Sequence, residues 1–352
     1  MKKTILFIIT KSETGGAQKF VSEQIRCLSN TKSWNCLLAT NTEGWLTQSV
    51  ENTIHDKKML LDTKITNIFS ISYLIKLIRF IKKNKPDLII ANSANGGLYG
   101  RLAGIFTKTK VIYVSHGWSS IYNGGRFKFI FNFIERLLSN ITASILCVSE
   151  KDKVKAIEII NITPGKIKVI PNSILAIENS RHQHVADILT VCRLAPPKRI
   201  DVLIEAMALL PEFNLHIVGD GPLRSQLEKM IIDRKLHNIK LCGYQSNFQG
   251  FGQYKIFCLI SDSEGMPMSA IEAMSCKLPL ILSNVGGCPE VIHNNGILVS
   301  NTAHHISESI KKIFTEYKIL SENSEKLFKS KFDLNNNIFL FESYYLDIIS
   351  LV

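Results

Sequence analysis

The stretch Ser261-Asp-Ser-Glu-Gly-Met-Pro-Met-Ser-Ala-Ile-Glu-Ala-Met274 follows an apolar run, Ile256-Phe-Cys-Leu-Ile260, that reads as a buried strand. Gly265 and Pro267 end the strand, and Met268 to Met274 has helix-forming composition, so the passage is strand, loop, helix. The first N–H groups of such a helix lack partners within it and point out of its start, where a diphosphate fits. Glu264 lies in the loop and can reach a sugar hydroxyl. Glu272, eight residues on and about two turns into the expected helix, can accept from a ribose hydroxyl. Two acids at this spacing also suit the commoner arrangement of a solvated loop acid beside a helix-face acid, and this stretch alone leaves both open.

A second passage has the same form. Asp187-Ile-Leu-Thr-Val191 reads as a strand, Cys192-Arg-Leu-Ala-Pro-Pro-Lys-Arg-Ile-Asp201 follows it, and Ile200, Leu203, Ile204, Met207 and Ala208 recur at helical spacing. Arg193 and Lys198 therefore fall in a strand-to-helix loop stiffened by Pro196 and Pro197, at the edge where parallel sheets bind ligands. Arg offers phosphate oxygens a planar fork and Lys a compact charge, so together they suit neutralising a departing diphosphate without metal. Two exposed basic residues at a helix start would look the same.

The alternation extends along the chain. Ile5–Ile9, Leu37–Thr40, Leu88–Ala91, Val111–Val114 and Ile145–Val148 read as strands, interleaved with helices over Lys19–Leu28, Ser72–Lys83 and Phe127–Leu138. Further strands are expected near Ile188–Val191, Leu215–Val218, Lys240–Leu241, Phe257–Ile260 and Leu280–Leu282. The fold class is α/β, with two doubly wound, Rossmann-like domains. Polar residues 173–187, including Glu178-Asn-Ser-Arg-His-Gln-His184, read as the linker between a first domain over 1–172 and a second over 188–335. Residues 336–352 read as a terminal helical segment packing back on the first domain.

Composition fits. The 352 residues leave room for two cores, and 45% hydrophobic with 20% charged residues describes a globular protein. The eight cysteines form no C-x-x-C pair and lie mostly in apolar runs, which points to reduced core residues, no metal site and the cytoplasm. Met-Lys-Lys followed by Thr-Ile-Leu-Phe-Ile-Ile reads as a first strand and not a leader, and no stretch reaches the roughly 18 apolar residues of a spanning helix.

In chain order, Gly15-Gly16, Ser115-His116-Gly117-Trp118, Cys147-Val-Ser-Glu150, Val169-Ile-Pro-Asn172, the Arg193 to Lys198 loop, Val218-Gly-Asp-Gly-Pro222, Leu241-Cys-Gly243, the Glu264 to Glu272 segment and Val285-Gly-Gly-Cys-Pro-Glu-Val291 resemble the signature of retaining glycosyltransferase family 4. The resemblance covers nearly the whole chain. It implies a GT-B fold, with two Rossmann-like domains facing each other across a cleft, and transfer from a nucleoside diphosphate sugar with no metal or other cofactor. By likeness to bacterial surface-polysaccharide members, the acceptor it implies is a glycan hydroxyl on a lipid-linked intermediate.

The same resemblance assigns residues. Glu264, Arg193, Lys198 and His116 form the catalytic set, with His116 positioning the donor sugar near the reaction centre. Gly15, Gly16, Gly219, Asp220, Gly221, Gly265, Met266, Pro267, Met268 and Glu272 bind substrate. On their own terms, Gly15-Gly16 is equally an ordinary tight turn and His116 equally a structural histidine. Gly219-Asp-Gly-Pro222 is equally a helix start in which Asp220 caps and Pro222 occupies the first turn. Two departures stand out. Arg199 replaces a common glycine and adds a third cation to the loop, and Asn92 and Asn95 occupy polar positions where many members carry histidine. Competing readings are a metal-dependent transferase using Asp262-Ser-Glu264, a nucleotide-sugar epimerase of the same fold, and a non-catalytic nucleotide-sugar-binding protein.

Charge is unevenly distributed. Residues 1–172 carry 25 Lys and Arg against 11 Asp and Glu, a net of +14, whereas residues 173–352 carry 17 against 19, a net of −2. No recognised nucleic-acid motif accompanies the excess. Lys82-Lys-Asn-Lys85 and Gly125-Arg-Phe-Lys-Phe-Ile-Phe-Asn-Phe133 interleave cations with apolar residues, which suits an anionic membrane surface on the cytoplasmic side and suits equally a helix packed on the first sheet.

Overall fold

The computed structural model describes residues 2–31, 33–54, 58–122, 125–177 and 185–351. The chain divides into two compact units, one of Met1–Asn172 with Leu334–Val352 and one of Ser173–Asp333. Residues 173–177, at the start of the expected linker, group with the second unit, and 178–184 lie outside the described residues.

The first unit holds a parallel sheet of seven strands, β1 (Lys3–Ile9), β2 (Trp34–Thr40), β3 (Met59–Leu61), β4 (Leu88–Asn92), β5 (Lys110–Ser115), β6 (Ser144–Cys147) and β7 (Ile167–Val169), in the order β3-β2-β1-β4-β5-β6-β7. The register runs Ile5↔Leu88 to Ile9↔Asn92 across the centre. Residues 5–9 are fully buried, as expected of a central parallel strand covered by helices on both faces. Helix Ala94–Thr107 presses onto the sheet through glycines: a Cβ at Gly97 would lie 2.5 Å from Tyr113 Cε2, and one at Gly104 2.4 Å from Val111 Cγ2. Helix Ile71–Asn84 is capped by Ser70, whose Oγ accepts from Tyr73 N, and buries Tyr73, Leu74, Leu77 and Ile81 at helical spacing. The terminal helix Leu334–Ser350 belongs to this unit. Trp34 Nε1 donates to Glu342 (2.7 Å), Tyr344 OH to Ser144 Oγ (2.7 Å) and Tyr345 OH to Gln24 Oε1 (3.3 Å).

The second unit repeats the pattern with β8 (Ile188–Val191), β9 (Leu215–Val218), β10 (Ile239–Gly243), β11 (Ile256–Leu259), β12 (Leu280–Ser283) and β13 (Gly296–Val299), ordered β10-β9-β8-β11-β12-β13. Both sheets therefore reverse their winding once, between β1 and β4 and between β8 and β11. At such a point the loops leaving the two central strands are the ones from which parallel sheets build ligand sites at the carboxyl edge. Helix Ile200–Met207 covers the second sheet through buried Ile200, Leu203, Ile204 and Met207. The edge strands β3, β7 and β13 were not among the expected strands.

Candidate active site

In the second unit the loops after β8 and β11 are zipped together. Arg199 N donates to Ile260 O (2.9 Å), Asp262 N to Pro197 O (2.9 Å), and Lys198 bridges Ser261. This backbone pairing places the Lys198 ammonium on Glu264, and the two form an ion pair with side chains 19% and 11% exposed. Burial works against the charged lysine, but the Glu264 carboxylate beside it holds its pKa above the ordinary value. Arg193, in the same loop, is exposed.

Arg199 does not supply the expected third cation. Its guanidinium donates to both Asp201 oxygens (3.0 and 2.8 Å) and lies 3.5 Å from Asp262 Oδ1, which also accepts from Asn301 Nδ2 (2.9 Å). The acids of Asp262-Ser-Glu264 are thus each engaged by a cation, and among the described residues no group of three His, Cys, Asp or Glu could hold a metal ion.

Two glycine motifs are explained by close approach of neighbouring loops. Gly219 has φ +140, and a Cβ there would stand 1.8 Å from Cys192 O; one at Gly221 would meet Leu194 O at 2.4 Å. Leu194 N donates to Asp220 O (2.9 Å), so the Gly219-Asp-Gly turn braces the Arg193 loop from beneath. Asp220 is not the helix cap and Pro222 is not in the first turn, because this bracing delays the helix to Arg224–Asp233, with Leu223 at the cap position. Asp220 Oδ1 instead accepts from Gly221 N (2.7 Å), and Arg224 lies 3.5 Å from its other oxygen. Likewise Gly286, at φ +50, clears Glu264 O, which a Cβ would approach to 1.7 Å, and Gly287 N donates to Gly265 O (2.7 Å).

The helix after this turn is Met268–Ser275, so Glu272 sits about one turn from its start and not two. Met266, Pro267 and Met268 are buried, so their side chains pack inward.

In the first unit His116 follows β5. Its Nε2 lies 2.9 Å from Asn92 Oδ1, at the end of β4, and Phe20 meets the ring edge-on with centroids 5.0 Å apart. Phe20 comes from helix Gly16–Asn30, for which Gly15 is the cap residue in extended backbone. Burial pushes the His116 pKa down to about 4, so the imidazole is neutral. Asn95 is structural: its Nδ2 donates to the carbonyls of Ile65, Thr66 and Asn67 at 3.0–3.2 Å. Sequence reasoning did not single out Thr10 and Ser93, whose hydroxyls lie 2.5 Å apart where β1 and β4 end. Neither residue type nor spacing marks them; only the strand order brings them together.

A groove of about 440 Å³ lined by Lys82, Lys85, Lys108 and Lys110 lies at the amino ends of β4 and β5, the edge opposite His116. Its Lys85 and Lys108 close helices Ile71–Asn84 and Ala94–Thr107, where a cation complements the negative end of the helix dipole.

Comparison with known proteins gives the family and the fold. A family model described as Glycosyltransferase Family 4 matches residues 14–174, and one described as Glycosyl transferases group 1 matches residues 177–329. The chain is 40% identical over 335 residues to the O-antigen biosynthesis glycosyltransferase WbnH of Escherichia coli, covering 95% of this chain and 96% of that one. It is 24% identical to the Escherichia coli UDP-Gal:alpha-D-GlcNAc-diphosphoundecaprenol alpha-1,3-galactosyltransferase, over 95% of this chain and 94% of the other. Among solved structures, Anabaena HepE in complex with UDP and glucose superposes with a TM-score of 0.82 at 19% identity, covering 97% of this chain and all of the other. Two parallel Rossmann-like sheets with these neighbours define the GT-B fold. The chain belongs to the glycosyltransferases of bacterial surface-polysaccharide type, in the family of the O-antigen enzymes.

Proposed function

We propose that the protein moves a sugar from a nucleoside diphosphate sugar to a hydroxyl of a lipid-linked glycan, with retention of configuration and without a metal. The observation that carries this reading is Lys198 held against Glu264 at the winding reversal of the second sheet, with Arg193 exposed in the same loop. A lysine charged through the working pH range and an arginine fork are suited to the charge that grows on a departing diphosphate. In the proposed step the bond from the sugar anomeric carbon to the β-phosphate oxygen breaks. The acceptor oxygen attacks from the same face, and its proton passes to the released phosphate. Glu264 holds sugar hydroxyls, Glu272 the ribose, His116 the sugar, and the turns at Gly15-Gly16, Gly219-Asp-Gly and Gly265 to Met268 line the substrate.

Support for a lipid-linked acceptor comes from the related Escherichia coli enzyme, which by its name takes UDP-galactose and an undecaprenyl-diphosphate acceptor. Helix Lys128–Asn140 adds a physical reason for work at a membrane: Phe129, Ile130, Phe131, Phe133, Ile134 and Leu137 are all exposed, next to Arg126 and Lys128. Lys82, Lys83 and Lys85 precede the amino end of β4, whereas Arg126 and Lys128 begin a helix entered from the carboxyl edge, so the two basic clusters lie at opposite edges of the sheet. The surface proposed here is therefore the helix with Arg126 and Lys128, on the face of an anionic leaflet. Sedimentation with anionic vesicles should be lost in Arg126→Gln/Lys128→Gln and kept in Lys82→Gln/Lys83→Gln/Lys85→Gln. The reverse outcome would move the contact to the other edge.

A screen of nucleotide sugars by thermal shift, UDP-sugars first, followed by mass spectrometry of the product formed on a diphosphate-lipid-linked acceptor, tests the activity. A product heavier by one sugar residue supports it; an epimerised donor with no transfer overturns it.

A further inference from the structure

His116 and Asn92 carry more information than their proximity. Asn92 is fully buried, and its Nδ2 lies 3.4 Å from Ile8 O and 3.2 Å from Ile90 O, both acceptors. Turning the amide over would set Oδ1 against two carbonyl oxygens, so these carbonyls fix Oδ1 toward His116. An acceptor oxygen 2.9 Å from Nε2 requires the proton on Nε2. Nδ1 then carries a lone pair, and among the described residues this buried atom has no hydrogen-bond partner. An unpartnered buried acceptor is costly and is retained where something else satisfies it.

The backbone next to Asn92 is held with unusual force. Ser93 has φ 64 and ψ 167, a region almost reserved for glycine, at a cost of about 1–3 kcal/mol. Thr10 N donates to Ser93 Oγ (3.1 Å), Thr10 Oγ1 lies 2.5 Å from it, and Gly96 N donates to Thr10 Oγ1 (3.0 Å), so the strained turn is clamped to the end of β1. Ser93 Oγ also donates to Asn92 O.

We propose that Asn92 is a positioning residue that locks His116 as the Nε2–H tautomer, so that Nδ1 accepts a hydrogen bond from a substrate hydroxyl and does not bind a phosphate oxygen. A neutral ring whose unpartnered nitrogen is a lone pair repels an anionic oxygen and selects a donor group, which on this protein is a sugar hydroxyl. The assignment of that hydroxyl rests on the glycosyl-transfer reading above; the tautomer does not.

Long-range nitrogen–proton NMR of protein labelled with ¹⁵N-histidine, with His116 assigned by comparison with His116→Gln, reads the tautomer without substrate. The expected spectrum at pH 7.5 has a protonated Nε2 and an unprotonated Nδ1. Asn92→Leu should shift the population toward Nδ1–H. In transfer assays Asn92→Leu should lower kcat by tenfold or more, toward the roughly hundredfold that misplacing a positioned group costs. The KM for donor should be little changed. Nδ1–H in the wild type would overturn the proposal even if Asn92→Leu does not fold. A spectrum unmoved in Asn92→Leu would remove Asn92 from the role. The expected spectra with no transferase activity would leave the lock standing and overturn the glycosyl-transfer reading instead.

Discussion

Lys198 and Glu264 neutralise each other across the two loops that meet at the winding reversal of the second sheet, although one belongs to the passage after β8 and the other to the passage after β11. Each charge is tolerated half-buried because the other is there. A donor diphosphate that recruits Lys198 must therefore leave Glu264 something else to hold, and sugar hydroxyls are donors of the right kind.

The pair should show itself in the stability of the ligand-free protein. Lys198→Ala strands the Glu264 carboxylate and should lower the melting temperature, as should Glu264→Ala, while the double variant should lose less than the sum. Chemical denaturation of the four proteins should give a coupling of about 1–3 kcal/mol. Additive effects would mean that the pair does not form in solution.

Arg193 should separate chemistry from stability. Its side chain is exposed, so Arg193→Ala should leave the melting temperature almost unmoved while lowering kcat by about two orders of magnitude, the usual scale for removing one preorganised donor. Glu272→Gln should instead weaken nucleoside diphosphate binding in calorimetry. Near-wild-type turnover in Arg193→Ala, or unchanged affinity in Glu272→Gln, would contradict those roles.

His116 gives a pH signature with a definite sign. Burial lowers its folded pKa to about 4, below the roughly 6.5 of an unfolded histidine. Between these values the unfolded chain binds a proton that the folded protein refuses, so this contribution is fully present above about pH 6.5 and is lost as pH falls through about 4. The stability of His116→Gln relative to wild type should accordingly improve as pH drops from 6.5 to 4.5. A difference that stays constant would place the imidazole in contact with water.

Arg101, fully buried, donates to both oxygens of Glu135 (2.8 and 3.2 Å) and lies over the Tyr113 ring at 4.2 Å. It ties the exposed helix Lys128–Asn140 to helix Ala94–Thr107. Glu135→Ala leaves the guanidinium buried without its partner and should cost about 3–5 kcal/mol by urea denaturation. A loss below about 1 kcal/mol would indicate that the helix is held by something else.

The doubly wound architecture was legible because central parallel strands are buried on both faces and write themselves as unbroken apolar runs, as Ile5–Ile9 does. Strands β3, β7 and β13 escaped because they are edges of three or four residues, each half-exposed in part. The loop positions of Arg193, Lys198 and Glu264 followed from strand and helix signals, but the ion pair did not, since it depends on β8 lying beside β11, which no local pattern encodes. Arg199 looked like a spare cation although Asp201, two residues on, takes its guanidinium; only the contact with Asp262 depends on strand order. Asp220 looked like a cap because its helix start is displaced by contacts with Leu194, 26 residues earlier.

The central claim is retaining transfer in which lysine and arginine, and no metal, carry the leaving diphosphate. Its most direct measurement is proton NMR of the product as first formed from an α-configured UDP-sugar, with a chelator present throughout. The account predicts an α-linked product, formed at the same rate with and without chelator. A β-linked product, or transfer that stops in chelator and returns with manganese, would contradict it.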